Sequence, residues 1–313
     1  VSPRLAALSV DLDGIPHYHA IHGLAPLPAE ATATHAVYDL ALARMDAFAR
    51  AHDLPLTLFA IGADLERPQS ASALRSLVER GHAAGNHSLS HRYDLVRAPA
   101  DAIAREVEEG ERAIAKATGE RPAGFRAPGY TVSDALFDAL EALGVRYDSS
   151  VFPCPGYYGA KALVMGALRL VGRTSASVLD TPRVLTAPAR PYRPGRPWYR
   201  RGRRAFVELP IGVTRWLRLP FIGTSVALAG ERGARWLAEG CAEEPLVNLE
   251  LHAIDFLGVD DGLEHLAPHQ PELRVPLARR MDALSAAVET ITRRGARFVR
   301  LDEAAERFAS RAD

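Results

Sequence analysis

The sequence is short of cysteine, of lysine and of long apolar runs, and it carries no net charge. Cys154 and Cys241 are the only cysteines among 313 residues and show no CxxC spacing, so a disulfide-built scaffold is excluded. Lys116 and Lys161 are the only lysines, and arginine supplies the rest of the positive charge, as a codon bias would give. Lys and Arg together number 38 against 38 Asp and Glu, which argues against a protein that coats nucleic acid. No uncharged apolar run reaches the ~18 residues of a spanning helix. The nearest, residues 157–172, contains Lys161 and Arg169. No leader segment is legible, so the expected location is cytoplasmic or membrane-peripheral. What remains is ordinary globular composition, 48% hydrophobic and 24% charged, and a length that fits one or two domains or a single large α/β barrel.

Apolar runs and helical periodicities alternate along the chain. Strands are predicted at 5–10, 55–61, 82–86, 246–251 and 298–301. Helices are predicted at 37–52, 70–80, 99–118, 133–143, 276–294 and 302–310, several closed by a glycine. Alternation of this kind implies a mostly parallel sheet covered by helices, and about seven units favour a distorted (β/α)7-type barrel. Residues 156–209 break the scheme. They are read as an Arg- and Pro-rich insertion on one barrel domain spanning 1–313.

Four stretches carry chemistry. In Val10-Asp11-Leu12-Asp13-Gly14, two carboxylates at i and i+2 of a strand end project to one face, where barrel enzymes gather their catalytic groups. In Gly85-Asn86-His87-Ser88-Leu89-Ser90-His91, two histidines four apart can converge on a metal if the backbone turns. Two His and one Asp leave coordination positions open for water, the catalytic pattern rather than the structural one. In Phe125-Arg126-Ala127-Pro128-Gly129-Tyr130, an arginine ahead of a Pro-Gly turn can orient a carboxylate while turn N–H groups face an oxyanion. In Asn248-Leu249-Glu250-Leu251-His252, a histidine ends an apolar strand. Taken alone, each stretch reads as an ordinary turn or rim residue.

In this order, the four stretches resemble the polysaccharide deacetylase family, carbohydrate esterase family 4. Val10–Gly14 is similar to the Asp-x-Asp variant of the family's Thr-Phe-Asp-Asp-Gly motif. Gly81–His87 through His91 matches its Gly-His-x-x-Gly-Asn-His and His-x-x-x-His pattern, Arg126–Tyr130 its Arg-x-Pro motif, and Leu249–His252 its Leu-x-His motif. The resemblance covers roughly residues 5–155 and 245–303. Two departures stand out. Leu12 separates the carboxylates, as in the branch with allantoinase-like and lipid-linked aminosugar deformylase members. The motif Asp-x-x-Asp-Trp is reduced to Tyr147-Asp148-Ser149-Ser150.

The resemblance implies metal-assisted hydrolysis of an N-acyl amide, acetyl or formyl, on an aminosugar. Asp13, His87 and His91 would bind Zn²⁺ or a similar divalent ion. Asp11 would be the general base, held ionised by Arg126, and the backbone N–H of Tyr130 would face the oxyanion. His252 would protonate the leaving amine, with Asp148 or Asp255 tuning it, and Leu251 would line the acyl pocket. The rival readings are a metal-free allantoinase-like amidohydrolase and a catalytically silent carbohydrate-binding protein.

His17, His19 and His22, which follow the first motif, are expected to be solvated and are left out of the metal site. In 157–172 the apolar residues Ala160, Leu163, Val164, Ala167, Leu168 and Val171 recur at helical spacing. They are expected to be ordinary core, the alternative being a surface that meets a lipid tail or membrane face. Residues 181–207 hold eight arginines and no acid, so a phosphate on a lipid-linked sugar is expected beside the active site. The sequence does not determine the oligomeric state.

Overall fold

The computed structural model describes residues 4–28 and 31–310. Strand β1 (Arg4–Asp11) is buried on both faces from Leu5 onward and is an interior strand of the sheet. It is followed by β2 (Leu56–Ala60), β3 (Ala83–Asn86), β4 (Gly124–Phe125), β5 (Tyr147–Asp148), β6 (Val207–Glu208), β7 (Leu246–His252) and β8 (Ala296–Phe298). The order across the sheet is β6-β5-β4-β3-β2-β1-β7, with β8 beside the start of β1, and every pairing between strands is parallel. The two outer strands curl toward each other. Ile211 N–H donates to Val151 O and Gly212 N–H to Asn248 O, so an irregular segment after β6 joins the β7 edge. The result is the distorted (β/α)7-type barrel expected from the alternation.

The helices are α1 (Ile15–His22), α2 (Leu42–Ala51), α3 (Pro68–Glu79), α4 (Ala100–Thr118), α5 (Asp134–Ala142), α6 (Pro155–Leu170), α7 (Gly223–Cys241), α8 (Leu277–Arg293) and α9 (Leu301–Ala309). Those predicted appear within a few residues of their expected bounds. Helix α4 buries Ile103, Val107, Gly110 and Ile114, a stripe spaced by threes and fours, and ends where Gly119 turns left-handed. Ser133 caps α5 by accepting from Leu136 N–H. The α2 region opens with a π-turn over Val37–Ala41. The last strand ends at Phe298, because α9 begins at Leu301. Helices α1 and α7 were not predicted. In α7, glycines at 223, 230, 233 and 240 blur the periodicity, and Gly230 breaks the helical backbone at φ 62°.

The insertion overturns two expectations. Helix α6 buries none of its residues, and Leu163 and Leu170 are 77% and 90% exposed. Its apolar periodicity is therefore not a core face. The arginines of 181–207 are largely occupied within the fold. Arg190 pairs with Glu244, Arg196 with Asp138, and Arg204 with Asp138 and Glu141, while Arg193 donates to backbone carbonyls. Among the described residues, no helix is long and apolar enough to cross a membrane.

Candidate active site

The C-terminal ends of β1, β3 and β7 meet at the mouth of the barrel, where a cavity of about 220 Å³ opens. The strand alternation sets its floor. Ser9, Asp11 and Asp13 occupy alternate positions from β1 onward, and Asn248, Glu250 and His252 do the same on β7. Asp11 pairs in register with His252, and Ser9 with Glu250. The residues between them, Val10 and Leu251, turn the other way and join the main apolar core. Leu251 therefore does not line an acyl pocket.

Asp13, His87 and His91 come together as three buried donors. Asp13 Oδ1 lies 3.2 Å from Nε2 of each histidine, and the two Nε2 atoms are 3.2 Å apart. A tetrahedral ion with bonds of about 2.0–2.1 Å separates its ligands by about 3.3 Å, so this triangle fits one. Asp13 Oδ1 has no hydrogen-bond partner of its own, so the three atoms are a donor set that could hold a cation. His87 Nδ1 lies 2.7 Å from Arg126 O, which makes Nδ1 the protonated nitrogen and leaves the Nε2 lone pair facing inward. Burial works to raise the Asp13 carboxyl, but His91 and His87 outweigh it and hold the group well below the usual carboxylate range.

Backbone strain and close packing support the cluster. Ser88, His91 and Tyr130 all have positive φ, between 56° and 66°, at about 1–3 kcal/mol each. Helix α4 meets the histidine loop at Gly110, where a Cβ would lie 2.6 Å from Asn86 Oδ1 and 2.7 Å from the Ser88 backbone.

Arg126 lies beneath the floor, fully buried. Its guanidinium donates to Asp11 Oδ1 at 2.7 Å, to Ser149 O at 2.8 Å, to Ser9 Oγ at 2.8 Å and to Ser149 Oγ at 2.9 Å, and it rests on the Phe59 ring. This pins one Asp11 oxygen. The other, Oδ2, has no hydrogen-bond partner and lies 3.7 Å from His87 Nε2.

The ring of His252 is held by Glu250, whose Oε1 is 3.0 Å from Nδ1. Burial pushes this imidazole down, but the Glu250 charge and hydrogen bond overcome that and hold it well above its ordinary value. Neither expected partner takes this role. Asp255 accepts from the His252 backbone N–H at 2.9 Å. Asp148 turns to Ser150 and to Glu208, with which it forms a buried carboxyl pair. Tyr130 also departs from expectation. The left-handed turn at Gly129, φ 63°, directs the Tyr130 backbone N–H onto Ala127 O, so it is not presented to an oxyanion. Its hydroxyl reaches the cavity instead, 3.4 Å from His252 Nε2.

Tyr157 and Lys161 of α6, with Tyr18, Gln270 and Glu272, form the walls, and no arginine of 181–207 lines the cavity. The phosphate expected beside the site has no arginine to meet it. His17, His19 and His22 are not solvated either: His17 stacks on His91 at 4.4 Å, and the other two are buried. The sequence reading missed Glu250, Ser9 and Asn248, although each sits two residues from a predicted site residue or from another member of its alternating set.

Residues 41–147 match the family model described as polysaccharide deacetylase, which bears out the resemblance read from the motifs. The matched span contains His87, His91 and Arg126 but neither the Asp11-x-Asp13 motif nor His252. Among curated proteins, none matches the chain. A polysaccharide deacetylase structure from Mycobacterium smegmatis is similar over 99% of this chain and 92% of its own, at 18% identity and TM-score 0.63. The CE4 domain of a multidomain xylanase from the hindgut metagenome of Trinervitermes trinervoides is similar over 98% and 91%, at 15% identity and TM-score 0.50. A CE4 family pseudoenzyme from Bacillus anthracis is similar over 96% and 65%, at 10% identity and TM-score 0.51. At these identities the likeness is one of fold.

Proposed function

From the polysaccharide deacetylase match over residues 41–147, we propose that this chain, as one barrel domain with its 156–209 insertion, is a divalent-metal-dependent hydrolase of an N-acyl group, acetyl or formyl, on a sugar. The observation that carries the reading is the Asp13–His87–His91 triangle beside an Asp11 whose second oxygen is free. Zinc suits a donor set of two imidazoles and one carboxylate. When bound there, such an ion supplies a Lewis acid and a water of lowered pKa. Asp11 Oδ2 takes the proton of the attacking water, with Arg126 fixing the carboxylate's orientation. His252, kept protonated by Glu250, presents Nε2 to the cavity and gives its proton to the leaving amine. The Tyr130 hydroxyl orients the same edge of the substrate.

The α6 surface favours a finer reading. Leu163, Val164, Leu170 and Val171 stand exposed on the helix whose Tyr157 and Lys161 wall the cavity. A sugar carried on a lipid, met at a membrane face, would place its apolar part there.

Asp13→Ala and Asp11→Asn test the assignment, with bound metal and amidase activity on an N-acetylated sugar measured together. Asp13→Ala is expected to lose both, and Asp11→Asn to lose turnover and keep the metal. Activity that persists without metal would favour the metal-free amidohydrolase. Metal binding without turnover in the unaltered protein would favour a silent carbohydrate-binding protein.

A further inference from the structure

We propose that the protein carries a second divalent-metal site, distinct from the Asp13–His87–His91 cluster, built on His19 and His265 with His22 and His269 beside them. Its ligand class is an imidazole-seeking ion such as zinc, nickel or copper.

Four of the chain's 11 histidines gather here. His19 and His22 are three apart on α1 and share a face. His265 and His269 are four apart in the turns between β7 and α8. The two stretches lie at opposite ends of the chain, yet His19 Nε2 and His265 Nε2 approach to 2.8 Å, a hydrogen-bond distance that opens by about 0.5 Å to take a tetrahedral ion. His22 and His269 stack beside them, with ring centroids 5.5 Å apart.

The protonation pattern is that of a ligand pair. His19 Nδ1 lies 2.6 Å from Ala25 O. A carbonyl only accepts, so Nδ1 carries the hydrogen, and in the neutral ring the Nε2 lone pair accepts from His265 Nε2–H, a hydrogen that an ion bound by both rings would replace. Metal-binding histidines are oriented in this way, and His87 uses the same device with Arg126 O at the catalytic cluster. His22 Nε2 is buried without a hydrogen-bond partner. His265 is exposed and His269 half-buried, so an ion can enter from solvent.

Among the described residues, no third His, Cys, Asp or Glu atom closes to within 4.8 Å of both members of the His19–His265 pair. Two imidazoles therefore hold the ion with water at the remaining positions, and His22 and His269 are the next donors one helical turn away. With no carboxylate in the set, calcium and magnesium are disfavoured. An ion here ties α1, which brings Tyr18 and Ile21 to the cavity, to the segment that brings Gln270 and Glu272. It acts as a clip across the mouth.

Zinc binding by the chelator-stripped protein, counted by equilibrium dialysis with elemental analysis, tests this. The unaltered chain is expected to bind two equivalents, and both H265A/H269A and Asp13→Ala one each. In the Asp13→Ala background, zinc is expected to raise the melting temperature, and adding H265A is expected to abolish that rise. Melting of H265A/H269A in chelator, unchanged from the parent, shows that the variant folds; His265→Gln is the milder substitute. Two equivalents retained by H265A/H269A, or none by Asp13→Ala, would overturn the second site. One equivalent in the parent that survives Asp13→Ala and vanishes in H265A/H269A would uphold this site while removing the catalytic one.

Discussion

The floor of the cavity and its α6 wall each reverse the usual placing of residues, in opposite directions. On the floor, Asp11, Asp13, His87 and Arg126 are charged or polar and buried, with their neighbours paired to them at 2.7–3.7 Å. On the wall, leucine and valine are exposed, and the helix is fastened through its first turns, by Tyr157 against Phe152 and Tyr130, by Tyr158 against the neighbouring apolar cluster and Tyr130 O, and by Lys161, which donates to Gly129 O. The contrast separates what folding requires from what it tolerates. Buried charges without partners would cost several kcal/mol each, so the Asp11–Arg126 pair beneath the floor ties the site to the stability of the barrel. An exposed apolar helix adds nothing to stability, so its sequence is free to answer to something outside the chain.

The comparison breaks most sharply at Glu250. Glu250→Gln removes the charge that keeps His252 protonated while keeping the residue's size. Only the Asp13 and Asp11 charges then oppose burial, and the ring loses its proton at lower pH. The turnover number is expected to fall about 10²-fold or more, and the alkaline limb of the pH–rate profile to move toward acid. Unchanged limbs would show that Glu250 does not govern the acid. Next is Gly110→Ala, which forces a methyl against Asn86 and Ser88. A loss of about 1–3 kcal/mol in chemical denaturation is expected, together with weakened metal retention by His87 and His91. The smallest effect belongs to the wall. Leu163→Glu with Val164→Glu is expected to shift stability by no more than about 0.5 kcal/mol and to leave turnover of a water-soluble acetylated sugar intact. Turnover of the same sugar on a lipid is expected to fall, and equal loss on both substrates would count against the apolar-wall reading.

Most of the barrel was legible because its strands are apolar runs and its helices are closed by glycine or opened by a capping serine. The motif residues stood out for a different reason. Asp11, Asp13, His87, His91, Arg126 and His252 each read alone as ordinary turn or rim residues, and only the order of their stretches, resembling that of the family's motifs, marked them as candidates. Glu250 was hidden by its position inside a strand, where its partner comes from two residues further on. Asp148 was expected near His252 because it aligns with the first Asp of the reduced Asp-x-x-Asp-Trp motif, whereas the sheet turns it toward Ser150 and Glu208. The Tyr130 N–H was misread because a left-handed glycine decides where a backbone hydrogen points. The 157–172 helix shows the limit of periodicity: a stripe of Leu and Val reveals one face of a helix and not whether anything covers it.

Strand β1 is hydrogen-bonded along both edges, to β7 on one side and to β2 and β8 on the other. It also delivers both carboxylates of the floor. Its amides should therefore be among the slowest in the molecule to exchange with solvent, since freeing them means dismantling the sheet. Asp11 is thus mounted on, and Asp13 just beyond, the last part of the molecule to come undone. On heating, activity and fold should disappear together, with no inactive but folded state between them.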